Sequence, residues 1–297
     1  MYFKLYVILT HVTTLIGKVS VLRDMNLVLI GASGSIGGNF MKAALAQGAR
    51  LVCLGRRAPA ADIPYIEADV RSLVLMQQAA VRAFSELGNV DVVLNFSGTH
   101  HRPMDFTRDD AVELLQEFDR VIEVNLRGAF VITQVFGRQL MAQKHGHLIH
   151  LCSNASRLSL FGSYGYNASK HGLEGLIKTA ATQFAPYRVR VNGVAPGTVE
   201  TALNRDLLRE ADNGSLTPRA ASILAHTPTK QFASLDGVTE TLLSTCLPQR
   251  HLTGNLIFCD DGYNVEGHSW PEGNRAVYEG DGAVDVLYQQ LDNVEKT

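Results

Sequence analysis

From Asn26 onward the chain alternates short apolar runs with segments of helical period, and this alternation limits the possible folds more than any other feature. The runs NLVLI, ARLVCL, VDVVLNF, GHLIHLC, VRVNGV and NLIFCD have the length and composition of strands. Helical segments between them make βαβ units and therefore a parallel sheet. The runs are continuously apolar rather than alternating, which implies that helices bury both faces. The expectation is a doubly wound α/β domain with a parallel sheet in three α/β/α layers.

With 46% hydrophobic and 19% charged residues among 297, there is ample material for one large core. Neither a repeat nor a low-complexity linker divides the chain. The reading is an N-terminal extension over 1–24, a domain over 25–263 and a C-terminal tail over 264–297, in which Trp270 is a candidate anchor. The extension faintly imitates a secretory signal. His11 and several Thr interrupt its apolar run, however, and no small-residue cleavage site follows. A net charge of -2, with both signs scattered, gives no reason to attract nucleic acid or an anionic membrane, so small molecules are the expected partners. Cys53, Cys152, Cys246 and Cys259 lie far apart in apolar runs without metal-binding spacing. They read as reduced core residues of a cytoplasmic protein, and no metal site is expected.

Strand NLVLI runs straight into Gly31, Ala32, Ser33, Gly34, Ser35, Ile36, Gly37 and Gly38, followed by the helical FMKAALAQ. Glycines at a strand-to-helix turn let a pyrophosphate approach the backbone, while the helix start offers free N–H groups and positive dipole. That is where the dinucleotide site of a Rossmann fold belongs, although a glycine cluster by itself equally suits an ordinary tight turn. The second strand ends in Gly55, Arg56 and Arg57, with no acid to bind a ribose 2′-hydroxyl. Arg56, helped by Arg57, is instead suited to a 2′-phosphate, which favours NADP over NAD.

Tyr166 and Lys170 stand four residues apart in a helical segment and so share a face. A nearby cation favours phenolate, the form a tyrosine needs to act as a base. Tyr164 has Ala168 four residues on and cannot make this pair.

A bare Tyr-x-x-x-Lys is common, but here it stands among other separated motifs: Asn125 in EVNLRGAF, Ser153 in LIHLCSNAS, YNASK, and Pro196-Gly197 in VRVNGVAPGTVET. Together with the glycine turn they make residues 26–262 resemble the single-domain branch of the short-chain dehydrogenase/reductase family. Ser153 precedes Tyr166 by thirteen residues and Asn125 precedes Lys170 by forty-five, separations that match the family pattern. The resemblance implies an oxidoreductase in which Ser153 and Tyr166 bind a carbonyl oxygen and Tyr166 exchanges the proton. Lys170 would hold the nicotinamide ribose, and Asn125 a water leading to solvent. It further implies that Asp69 and Val70 meet the adenine, and that Asn95, Ser97 and Gly98 line the cofactor. Pro196, Gly197, Val199 and Thr201, with Thr198, would shape the nicotinamide pocket. A homodimer or homotetramer is expected, pairing the Tyr166–Lys170 helix across a two-fold axis.

Some positions depart from the family pattern. The turn reads GxxGxxG, as in the branch acting on nucleotide-linked sugars, so an epimerase or dehydratase stands as an alternative, beside a non-catalytic nucleotide-binding regulator. The usual NNAG is Asn95-Phe96-Ser97-Gly98, and Asp261 replaces a customary glycine. His100, His101 and Arg102 are candidates to line the substrate cleft, His147 and His150 read as structural, and 202–226 falls where the family keeps a mobile flap.

Overall fold

The computed structural model describes residues 21–100, 103–202, 204–248 and 251–265. One sheet contains β1 (Asn26–Ile30), β2 (Arg50–Gly55), β3 (Tyr65–Glu67), β4 (Val92–Asn95), β5 (Gly146–Leu151), β6 (Val189–Pro196) and β7 (Leu256–Cys259). Every neighbouring pair is parallel, in the order β3-β2-β1-β4-β5-β6-β7. The chain winds outward from β1 to β3, then crosses back to place β4 on the other side of β1. The carboxyl ends of β1 and β4 therefore flank the point where winding reverses, where such sheets bind ligands.

The continuous apolar runs are explained by the pleat. Val28, Ile30, Val52 and Leu54 enter one core, whereas Leu27, Leu29, Leu51 and Cys53 enter the other. On the first side pack α2 (Leu73–Leu87), α4 (Gly128–Gln143) and α5 (Tyr164–Phe184), contributing Met76, Phe136 and Leu173. On the second lie α1 (Ser35–Ala46) and α8 (Leu235–Cys246), contributing Phe40, Met41 and Leu242. Each such side chain, fully buried, stabilises the fold by about 1.5–3 kcal/mol. Between α2 and α4 runs α3 (Ala111–Ile122), started by Asp110, whose carboxylate accepts from Val112 and Glu113 N–H. The expected flap holds two short helices, α6 (Arg205–Leu208) and α7 (Pro218–His226).

The domain begins earlier than the boundary at residue 25 read from the sequence. Leu22 is fully buried in the second core, and the Asp24 N–H donates to the Gly48 carbonyl at 3.1 Å, so residues 21–24 belong to the packed unit. A strand-like start at Met25 hid this, because one buried leucine before a turn carries no periodicity. The rest of the expected extension, and the tail from 266 with Trp270, lie outside the described residues. Cys53, Cys152 and Cys246 are buried free thiols and Cys259 is half-buried; desolvation pushes Cys53 and Cys152 up to about 12.

Candidate active site

The turn after β1 is shaped by two close approaches. Gly31 has φ of 84°, and a Cβ there would stand 2.9 Å from the Ser97 backbone nitrogen. A Cβ on Gly37 would stand 2.9 Å from the Ala32 Cα, so only glycine lets α1 start against the turn. Gly34 differs: its φ is -80°, and a Cβ would meet nothing nearer than the Gly31 carbonyl at 3.7 Å. It caps α1 without a side-chain hydrogen bond, beside exposed Ser33 and Ser35 and half-buried Ile36. The space beside Gly34 at the start of α1 is thus clear of side chains, which fits a dinucleotide pyrophosphate.

Beyond it, Gly55 lies against Gly31 and delivers exposed Arg56 and Arg57 to the rim of this turn. Asp69 pairs with Arg71 at 2.7 Å, and that hydrogen bond, aided by the charge of Arg56, holds its carboxyl below the usual range. Val70 is buried against Gly128, where a Cβ would come within 2.8 Å of its Cγ2. The backbone at Asp69 and Val70 is thus seated on the start of α4.

The four residues singled out for chemistry lie near the carboxyl ends of β4 and β5, Ser153 directly and the others through contacts with Thr99 and Leu151. Tyr166 and Lys170 share one face of α5. Lys170 is buried, its Nζ 5.7 Å from the Tyr166 ring centroid and donating to the Leu151 carbonyl at 2.9 Å. That carbonyl fixes an ammonium which water would otherwise hold, and so aims it along the phenol. Ser153, two residues past β5, accepts from the Ala155 N–H at 3.1 Å and donates to Asn154 Oδ1 at 3.1 Å. Asn125 sits in a single π-helical turn, Glu123–Arg127, inserted between α3 and α4, a device frequent at functional sites. Its carboxamide accepts from the Thr99 N–H at 2.7 Å and donates to the Thr99 carbonyl at 3.0 Å. It also donates to Ser169 Oγ at 3.3 Å, which donates to the Tyr166 carbonyl at 2.8 Å.

Asn95 does not point its side chain toward the cleft. Its Oδ1 accepts from the Ser97 N–H at 2.9 Å, and its Nδ2 donates to His150 Nδ1 at 3.1 Å. It holds the Ser97–Gly98 turn in place. Because His150 Nδ1 accepts, Nε2 carries the proton and donates to Thr133 Oγ1 at 3.0 Å, which donates to the Ala129 carbonyl at 2.8 Å. Burial, with the Lys170 charge, pushes His150 down to about 3 and keeps it neutral. His147, also buried, accepts from Asn192 Nδ2 at 2.8 Å and is likewise lowered, mainly by desolvation. Both histidines are structural, as the sequence suggests.

At the end of β6, Gly197 lets the chain pass against Asp260, whose Cα would lie 2.9 Å from an added Cβ. Asn204 donates to the Val199 carbonyl at 2.9 Å and accepts from the Thr201 N–H at 2.9 Å, pinning the turn after Pro196. Sequence reasoning missed Asn204, Thr99, Thr133 and Arg120. Arg120 binds Thr99 Oγ1 at 2.7 Å and the His100 carbonyl at 2.6 Å. None belongs to a spaced motif, and each acts through contacts that only the fold creates. His101 and Arg102 lie outside the described residues. Among the described residues no cluster of His, Cys, Asp and Glu could hold a metal, and no helix is long and apolar enough to cross a membrane.

Comparison with known proteins agrees with this geometry. The short chain dehydrogenase family profile matches residues 26–212. An uncharacterised oxidoreductase of Mycobacterium tuberculosis is 30% identical over 260 residues, covering 82% of this chain and 92% of its own. The short-chain reductase protein NovJ of Streptomyces niveus is 27% identical over 260 residues, covering 82% of this chain and 96% of its own. Among solved structures, the ligand-free aldohexose dehydrogenase of Thermoplasma acidophilum shares the fold with a TM-score of 0.74 at 24% identity, covering 85% of this chain and 99% of its own. These matches do not favour the nucleotide-sugar or non-catalytic alternatives.

Proposed function

The chain belongs to the short-chain dehydrogenase/reductase family of NAD(P)-dependent oxidoreductases, and from that premise we propose that it passes hydride between NADP(H) and a carbonyl or secondary alcohol, with Tyr166 as general acid/base. The observation that carries this reading is the buried Lys170, fixed by the Leu151 carbonyl with its Nζ 5.7 Å from the Tyr166 ring centroid.

In the reductive direction the Tyr166 hydroxyl gives its proton to the substrate oxygen, while Ser153 Oγ turns its donor from Asn154 to the same oxygen. Two donors aimed at one oxygen stabilise the negative charge that develops there. The Lys170 ammonium stabilises the charge left on the phenol oxygen, and the Asn125 turn holds the water through which the proton is replaced. The nicotinamide, when bound, supplies or accepts the hydride. Gly31, Ser33, Gly34, Ser35, Ile36 and Gly37 would take the pyrophosphate, and Arg56 with Arg57 the 2′-phosphate. Asp69 and Val70 would take the adenine. The Asn95–Gly98 turn and Pro196, Gly197, Val199 and Thr201 would enclose the rest. Exposed Val112, Leu115 and Phe130 on α3 and α4 support a homo-oligomer built on this side of the molecule.

The test is NADPH consumption with a panel of aldehydes and ketones. Tyr166→Phe keeps the ring and removes the proton, so kcat should fall by about 10²–10⁴-fold with NADPH affinity unchanged. A variant as active as wild type removes Tyr166 from the chemistry.

A further inference from the structure

The segment that follows β4 does something the family's proton relay does not require: it sets an imidazole beside the phenol. The rings of His100 and Tyr166 are nearly parallel, 19° apart, with centroids 5.5 Å from each other. That separation exceeds face-to-face contact, so the rings are offset and the imidazole edge passes the rim of the phenol. The placement is enforced by the backbone. Thr99 is gripped by the Asn125 carboxamide through both its N–H and its carbonyl, at 2.7 and 3.0 Å. The His100 carbonyl accepts from Arg120 at 2.6 Å, and Arg120 is itself held by Glu117 at 2.7 and 2.8 Å. Three hydrogen bonds thus fix the backbone of the residue carrying the ring and of its neighbour.

We propose that His100 is a specificity-determining residue that donates a hydrogen bond to a second oxygen of the substrate, on the carbon next to the reacting carbonyl. An imidazole has an N–H donor in either tautomer, and its nitrogens lie in the plane of the ring, parallel to the phenol face. In this assignment the carbonyl oxygen sits at the Tyr166 hydroxyl and its neighbouring substituent lies on the His100 side of the phenol ring. The class selected is a carbonyl compound with an adjacent acceptor, either a carboxylate or a second carbonyl. The inference rests on the proposed hydride transfer, since it takes Tyr166 as the point where the reacting oxygen binds.

Three phenyl ketones separate the cases: benzoylformate carries an anionic acceptor, its methyl ester a neutral one, and propiophenone none. Their intrinsic reactivities differ, so the quantity to compare is the ratio of wild type to variant for each. His100→Phe preserves a stacked ring and deletes the donor. It should raise KM about tenfold for the first two, as the loss of one hydrogen bond predicts, and leave propiophenone unaffected. His100→Gln should restore most of the loss. Benzoylformate losing more than its ester would identify the carboxylate as the preferred acceptor. Equal losses for all three ketones, or no loss for any, overturn the assignment.

If wild type reduces none of the three, binding decides independently of chemistry. Calorimetric titration of benzoylformate and its ester into Tyr166→Phe with NADPH should show about tenfold tighter binding than into the double variant Tyr166→Phe/His100→Phe. That result with no turnover would sink the hydride-transfer reading and keep His100 as the reader of the second oxygen. Equal binding to both proteins, or none to either, would sink His100.

Discussion

The two ends of the cleft are built by different means. The proposed pyrophosphate site is a single continuous segment, β1, the glycine turn and α1, in which backbone conformation does nearly everything. The proposed catalytic end is assembled from three distant segments, the Asn125 turn, the residues after β5 and the helix carrying Tyr166 and Lys170, and hydrogen bonds among buried polar groups hold it together. Thr99 is tied to Asn125, Ser169 joins Asn125 to the Tyr166 backbone, and Asn95, His150 and Thr133 connect the Ser97 turn to α4. A local site depends on which residues lack a side chain; a distributed one depends on which buried polar groups find each other.

The comparison is broken most severely at Gly31. Gly31→Ala must place a Cβ at positive φ and 2.9 Å from the Ser97 nitrogen, a backbone atom that cannot step aside. Strain and collision together should cost about 3 kcal/mol or more, read as a large drop in Tm and in urea midpoint. Gly34→Ala sharpens the contrast. Its Cβ meets no protein atom closer than 3.7 Å, so stability should change by less than about 1 kcal/mol. NADPH binding should nonetheless weaken at least tenfold, because the methyl projects into the phosphate space. Unaltered NADPH affinity in a folded Gly34→Ala protein would show that the pyrophosphate lies elsewhere.

At the catalytic end the equivalent break is His150→Leu. It leaves the Asn95 amide without an acceptor and Thr133 without a donor, both in the buried interior, at a cost of about 1–3 kcal/mol each. The same histidine gives the domain an acid limit. Folded, it stays neutral to about pH 3; unfolded, it takes a proton near 6.5, so stability is whole above pH 6.5 and declines as pH falls from there towards 3. His147 adds a slope of the same sign. Urea midpoints measured at pH 7 and pH 5 should therefore fall with acidification, and His150→Asn should reduce that fall without abolishing it. An identical slope in the variant would mean that His150 is not kept neutral by the fold.

This difference also decides what could be read from the sequence. The sheet was legible because each strand is a contiguous apolar run, and the cofactor turn because its glycines are adjacent to one another. Tyr166 and Lys170 were legible because a helix brings residues four apart together. Ser153 and Asn125 were recognisable through family spacing alone, since nothing near either residue names a partner. Thr99, Thr133 and Arg120 were not legible at all. Their partners lie 26, 17 and 20 residues away, at positions set by strand pairing and helix docking. Leu22 escaped for a related reason, being a single core contact ahead of the first periodic segment.

The smallest expected effect concerns discrimination rather than integrity, and it falls at the cofactor end. Arg56 follows β2 directly, is exposed, and is close enough to Asp69 to lower that carboxyl. Asp69 is already taken up by Arg71, so Arg56 keeps most of its charge for a ligand. A charge-assisted hydrogen bond to a 2′-phosphate is worth about 1.5–3 kcal/mol, or roughly 10–100-fold in affinity. Arg56→Ala should weaken NADPH by that factor and leave NADH and Tm unchanged, because the side chain is exposed. Arg57→Ala should do less, the second arginine being the helper. If NADPH and NADH bind wild type equally, the preference belongs to neither arginine, and the acid-free end of β2 is a turn with solvated charges.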